Sequence, residues 1–176
     1  MSKNIIVTAW IAVAAITTAS AFAADGQVNF GGKVIDTACN VSNLDASKML
    51  TVEMGSISRA SFTAKGSKSN GVNFTLSVSD CPDTTDGGVR VSFDGESVSD
   101  DNSILDLDPV EGKALGVGIQ LTDASQNVLP LYTQSTMYPL TNGNGTLEFI
   151  ARYIATQDDV KTGVANATAN FTIIYN

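Results

Sequence analysis

Two cysteines, Cys39 and Cys81, carry the plainest chemistry in this chain. They follow a segment that reads as an export signal, and oxidising compartments favour disulfides, so the pair is expected to be joined. The alternative is two free, buried thiols. A bond across that interval would stabilise the fold by roughly 4 kcal/mol in the chain-entropy model. Among the carboxylates, Asp100-Asp101 and Asp106-x-Asp108 invite a calcium reading. They lack the loop glycine and the ligand spacing of an EF-hand, and calcium takes six to eight oxygens, so a solvated loop is expected instead. The chain has no histidine. It therefore lacks the usual general base and the commonest metal ligand. No Ser, Cys or Lys stands in a nucleophile motif, and a glycosidase-like carboxylate pair is a spatial arrangement that sequence does not display. The expectation is a protein with no catalysis, no cofactor and no metal.

Residues 1–23 read as a signal peptide rather than as structure. Lys3 gives the positive start, Ile5 to Ile16 the apolar stretch, and Ala21-Phe22-Ala23 the small-x-small cleavage signal. The apolar stretch is short for a membrane span, and no second long apolar run follows. The formal charge of −8 becomes −9 once Lys3 is removed. Nucleic acid is excluded as a partner, because phosphate binding needs clustered Lys and Arg. The remaining 153 residues suit one domain with a real core.

Positioning falls to strands. Val72, Phe74, Leu76 and Val78 alternate, as do Val89, Val91 and Phe93 before the Asp94-Gly95 turn. Leu115, Val117, Ile119 and Leu121 form another such run, and Leu147, Phe149, Ala151, Tyr153 and Ala155 a longer one. Ahead of the latter, Asn142-Gly143-Asn144-Gly145 signals a tight turn, since Gly and Asn tolerate positive φ. Leu50, Val52 and Met54 predict a shorter strand ended by Gly55. Residues 56–70 read as a loop with room for one helical turn. Residues 94–108 read as an acidic loop whose Ile104, Leu105 and Leu107 reach the core. Short strands at regular spacing with Gly-rich turns predict an all-β sandwich.

The two ends of the exported chain are complementary. Gly163, Ala165, Ala167, Ala169, Phe171, Ile173 and Tyr175 are small or apolar, and the mostly polar positions between them run to Asn176. Such alternation marks a strand with one buried face, and no chain follows to supply its next partner. Near the other end, Val28, Phe30, Gly32 and Val34 alternate as well. One end lacks a strand and the other carries a spare one, which suits a polymer. On pattern alone, residues 26–35 could equally be the first strand of the same domain, and the three alanines could be ordinary close packing.

These features resemble the subunits of chaperone–usher fimbriae, closest to the major rod subunits of type 1-like pili. The resemblance rests on Gly26-x-Val28-x-Phe30-x-Gly32-x-Val34 ahead of Cys39 and on the Cys39-to-Cys81 spacing. It rests also on the run Glu148 to Thr156, on the penultimate aromatic Tyr175, and on Gly163, fourteenth from the end. It implies an incomplete immunoglobulin-like β-sandwich lacking its last strand, completed by donor-strand complementation; chaperone–pilin strand donation is the type case of strand addition. The implied organisation is a signal peptide (1–23), a donor extension (24–36) and a pilin domain (37–176). Val28, Phe30, Gly32 and Val34 would face inward as donor residues. Gly163, Ala165, Ala167, Ala169, Phe171, Ile173 and Tyr175 would line the acceptor groove, and Tyr175 with the carboxylate of Asn176 would help dock onto the chaperone. The implied partners are neighbouring subunits, a periplasmic chaperone and an outer-membrane usher, and the implied destination is a surface fimbrium. The alternatives are a minor subunit, either adaptor or terminator, and a self-contained binding or adhesin domain. A tip adhesin would carry a further N-terminal domain for which this chain is too short.

Overall fold

Period-two alternation becomes strands wherever a neighbouring backbone is available to pair. A computed structural model of the chain describes residues 27–30, 38–82, 87–99 and 101–175. Contacts divide the chain into residues 1–34 and residues 35–176. In the first unit, Val28 and Phe30 are exposed, at 75% and 95%. The proposed signal peptide, Gly26, Gly32, Val34 and Asn176 lie outside the described residues.

Among the described residues, the second unit holds nine strands: β1 (Asn40–Val41), β2 (Val72–Ser79), β3 (Gly88–Asp94), β4 (Ser97–Val98), β5 (Asp101–Leu105), β6 (Val117–Asp123), β7 (Tyr138–Pro139), β8 (Gly145–Ala155) and β9 (Asn170–Tyr175). They form a six-stranded sheet, ordered β1-β2-β8-β6-β5-β4, and a three-stranded sheet, ordered β7-β3-β9. Every ladder between these strands is antiparallel. Phe74 lies opposite Phe149 on β2 and β8, Ile119 opposite Tyr153 on β6 and β8, and Phe93 opposite Phe171 on β3 and β9. The inward rows of the two sheets meet in one core. The Phe149 ring stands perpendicular to Phe93 from the other sheet with centroids 5.2 Å apart, and Phe74 and Tyr138 pack on it at 5.3 and 5.5 Å. Edge-to-face contact suits the charge distribution of aromatic rings.

The expected sandwich is present, and three local expectations change. The segment 94–108 is no loop: β4 and β5 form a hairpin there, pressed against β6 so closely that Gly118 has no space for a side chain beside Ile104 and Val98. Leu115 is exposed rather than inward, because the strand proper starts at Val117, beyond Gly116 at φ 75°. Leu50, Val52 and Met54 keep their alternating burial but form no ladder. From Leu50 to Ile57 no backbone hydrogen bond is made among the described residues. The expected helical turn is a short 3₁₀ turn at Arg59–Ser61, capped by the Ser58 hydroxyl.

Candidate functional site

β9 is bordered by β3 alone, and its second edge has no backbone partner among the described residues. Its inward residues Phe171, Ile173 and Tyr175 touch the core cluster yet stay half-buried. Their ladder partners Phe93, Val91 and Val89 are 6%, 1% and 0% exposed. A strand packed against a core but not covered by it leaves apolar surface and unpaired N–H and C=O groups facing solvent. Ala165, Ala167 and Ala169 continue the half-buried row, while Asn166, Thr168 and Asn170 face outward.

The expected strand from Gly163 nevertheless begins only at Asn170. Three successive carbonyls upstream of it are already engaged. Val164 C=O accepts from Ala114 N–H at 2.8 Å, Ala165 C=O from the Tyr153 hydroxyl at 3.0 Å, and Asn166 C=O from Asp108 N–H at 2.8 Å. Acceptors turned toward separate partners cannot form a regular edge. Gly163 itself is fixed by packing. A Cβ there would collide with the Gly112 carbonyl and the Ala114 amide. Gly163→Ala is therefore expected to cost about 1–3 kcal/mol, as overpacking does, seen as a lower unfolding temperature of the purified chain. An unchanged temperature would mean that this backbone crossing relaxes freely.

A second wall was missed as a site by sequence reasoning, although its signal was there. Leu50 and Met54 pack half-buried against the core, on a stretch whose backbone is unpaired among the described residues. Ile57 at the end of that stretch and Arg59 just beyond it line a cleft of about 110 Å³ together with Gly163 and Ala165, with Phe62, Val117, Tyr153 and Val160 also in its lining.

The disulfide closes the far end. Cys39 and Cys81 are bonded. The Cys39 amide donates to the Tyr175 hydroxyl at 2.8 Å, and the Cys81 amide to the Gly143 carbonyl at 3.0 Å in the tight turn before β8. The bond thus ties the start of β1 to the end of β2 within the six-stranded sheet, and the hydrogen bond from the Cys39 amide links that corner to the end of β9. Of the acidic residues considered for calcium, Asp100 lies outside the described residues, and Asp101, Asp106 and Asp108 make local contacts. Asp101 accepts from the amide and hydroxyl of Ser103, which hold its carboxyl below the usual range. Asp106 pairs with Lys113 at 2.9 Å, and Asp108 accepts from Thr168. Among the described residues, no three His, Cys, Asp or Glu side chains gather as metal ligands do.

The fimbrial protein family model matches residues 28–176. The chain belongs to the fimbrial protein family. It is 35% identical over 164 residues to long polar fimbria protein A of Salmonella typhimurium, covering 92% of this chain and 91% of that one. It is 34% identical over 169 residues to the type-1 fimbrial protein A chain of Escherichia coli, covering 93% and 88%. Among solved structures, the Burkholderia pseudomallei antigen and type I fimbria protein shares 30% identity with a TM-score of 0.60, over 80% of this chain and 91% of that one. The P pilus rod subunit PapA superposes with a TM-score of 0.66 over 80% of this chain and 100% of that one; at 20% identity it speaks for the fold. This type 1-like pilin has the immunoglobulin-like sandwich of its family.

Proposed function

We propose that this fimbrial subunit polymerises by donor-strand exchange to build the rod of a chaperone–usher pilus. The observation that carries the reading is the uncovered inward row of β9 beside an unpaired edge. An incoming extended segment would add backbone hydrogen bonds along β9 and set alternate side chains on the half-buried row. The free backbone of Leu50 to Ile57 offers it a second edge. Val28, Phe30, Gly32 and Val34, in the extension 24–36, are the donor row, and residues 37–176 are the domain that receives it. Gly32 sets no side chain into the groove and suits a place where a Cβ would clash. Before assembly a periplasmic chaperone would cover the same face, and an outer-membrane usher would exchange chaperone for subunit. Tyr175 and the carboxylate of Asn176 belong to the chaperone contact, where Arg or Lys suits a strand-end carboxylate. The product is a fibre on the cell surface.

The test is a synthetic peptide of residues 24–36 added to the purified exported chain. At a hundredfold excess over its Kd, a ligand bound to the folded state alone adds about 2.7 kcal/mol. For a domain of this size that raises the unfolding temperature by roughly 5–10 °C. The same peptide carrying Phe30→Asp should give no rise. No rise from the unaltered peptide, with a stable monomer, would mean a complete sandwich and a self-contained binding domain.

A further inference from the structure

The geometry points to Tyr153 as the positioning residue that ends the donor's ladder at Ala165, an inference that rests on the strand-addition reading above. Tyr153 lies on the inward row of β8, 6% exposed, opposite Ile119 of β6. Its ring crosses the core, and its hydroxyl donates to the Ala165 carbonyl at 3.0 Å. Burial raises its pKa, so the phenol stays a donor through neutral and mildly alkaline pH.

The consequence is one of accounting among acceptors. A strand pairing with an edge needs carbonyls lying in the plane of the sheet. Ala165 is on the half-buried row that would face a donor, but its carbonyl is turned to the phenol. The carbonyls on either side, of Val164 and Asn166, are held by Ala114 and Asp108. Those two bonds are backbone to backbone, whereas the middle one depends on a single side chain. The 110 Å³ cleft opens at this point, with Tyr153 and Ala165 both in its lining. The incoming segment therefore meets a side-chain receptacle there instead of another rung. Without the phenol, the Ala165 carbonyl would be left half-buried and unpaired, and turning outward to the donor would satisfy it.

The experiment is hydrogen exchange on a ¹⁵N-labelled peptide of residues 24–36 bound to the full exported chain. The donor residue over Ala165 is identified by its contact with the Ala165 methyl group. In the unaltered protein the amide of that donor residue should exchange as fast as in the free peptide, while those along β9 are protected. In Tyr153→Phe it should become protected at least tenfold, with slower peptide release. Ser69→Ala removes the hydroxyl that accepts from the Tyr153 amide at 2.9 Å; it perturbs the same strand end without touching the phenol and should leave the exchange pattern unchanged. If the amide over Ala165 is already protected in the unaltered protein, the inference is overturned without any variant. It is also overturned if Tyr153→Phe and the unaltered protein protect the same donor amides. A peptide that does not bind the unaltered protein at all would sink the strand-addition reading, and the inference with it.

Discussion

Phe30→Asp in the full chain is expected to give a subunit that folds and still accepts a donor peptide but donates to no other copy. Phe30 is 95% exposed, so its replacement removes no packing among the described residues. The loss falls on the junction between subunits. Burying a phenylalanine side chain is worth roughly 2–3 kcal/mol, and placing a carboxylate in an apolar groove adds a desolvation cost of several kcal/mol more. Each junction would weaken by at least a hundredfold, since about 1.4 kcal/mol is a factor of ten. A fibre multiplies that loss over every joint. The measurement is a ladder of detergent-resistant oligomers from purified chain, run beside the peptide-induced rise in unfolding temperature. Loss of the ladder with the peptide response intact places the defect in the donor. A normal ladder would show that Phe30 does not fill the groove. Loss of both responses would mean that Phe30 supports the fold itself.

Strand identity was legible because alternation survives whether or not a strand finds a partner. Val72 to Val78, Val89 to Phe93 and Leu147 to Ala155 pair where their apolar rows predict. Leu50, Val52 and Met54 obey the same pattern and have no ladder, because alternation reports which face meets the core and not whether an edge is occupied. That distinction hid half of the candidate site: an unpaired strand and a paired one have the same sequence signature. The onset of β9 was misplaced for a related reason. Ala165, Ala167 and Ala169 hold the period, but the carbonyls between Gly163 and Ala167 go to Ala114, Tyr153 and Asp108, residues between 12 and 58 positions away. Side-chain periodicity says nothing about where a carbonyl points. The β4–β5 hairpin escaped notice because its exposed face is acidic, while its buried anchors Ile104 and Leu105 are adjacent rather than alternate.

Replacing Cys39 by serine should sharply reduce accumulation of the exported chain, and comparison with Cys81→Ser identifies the reason. The two cysteines are 42 residues apart. In the chain-entropy model a loop of that size contributes about 4 kcal/mol, a large share of the 5–15 kcal/mol that holds a typical domain together. A subunit whose last strand is covered on one edge alone has less reserve than a complete sandwich. If loop closure is the cause, Cys39→Ser, Cys81→Ser and the double variant should lose stability equally, by urea unfolding of whatever folds and by yield of purified chain. The surroundings of the two residues differ: the Cys39 amide supports the Tyr175 hydroxyl at the end of β9, and the Cys81 amide holds the turn that launches β8. A serine keeps both amides, so these contacts survive unless the segment moves. A much larger loss for Cys39→Ser than for Cys81→Ser would therefore mean that the disulfide acts chiefly by holding Cys39 against Tyr175, tying its effect to the groove. Equal losses that leave the donor peptide's affinity unchanged would assign the bond to the stability of the receiving domain, with no part in setting the groove's shape. Unchanged accumulation of all three variants would remove the disulfide from the stability argument altogether.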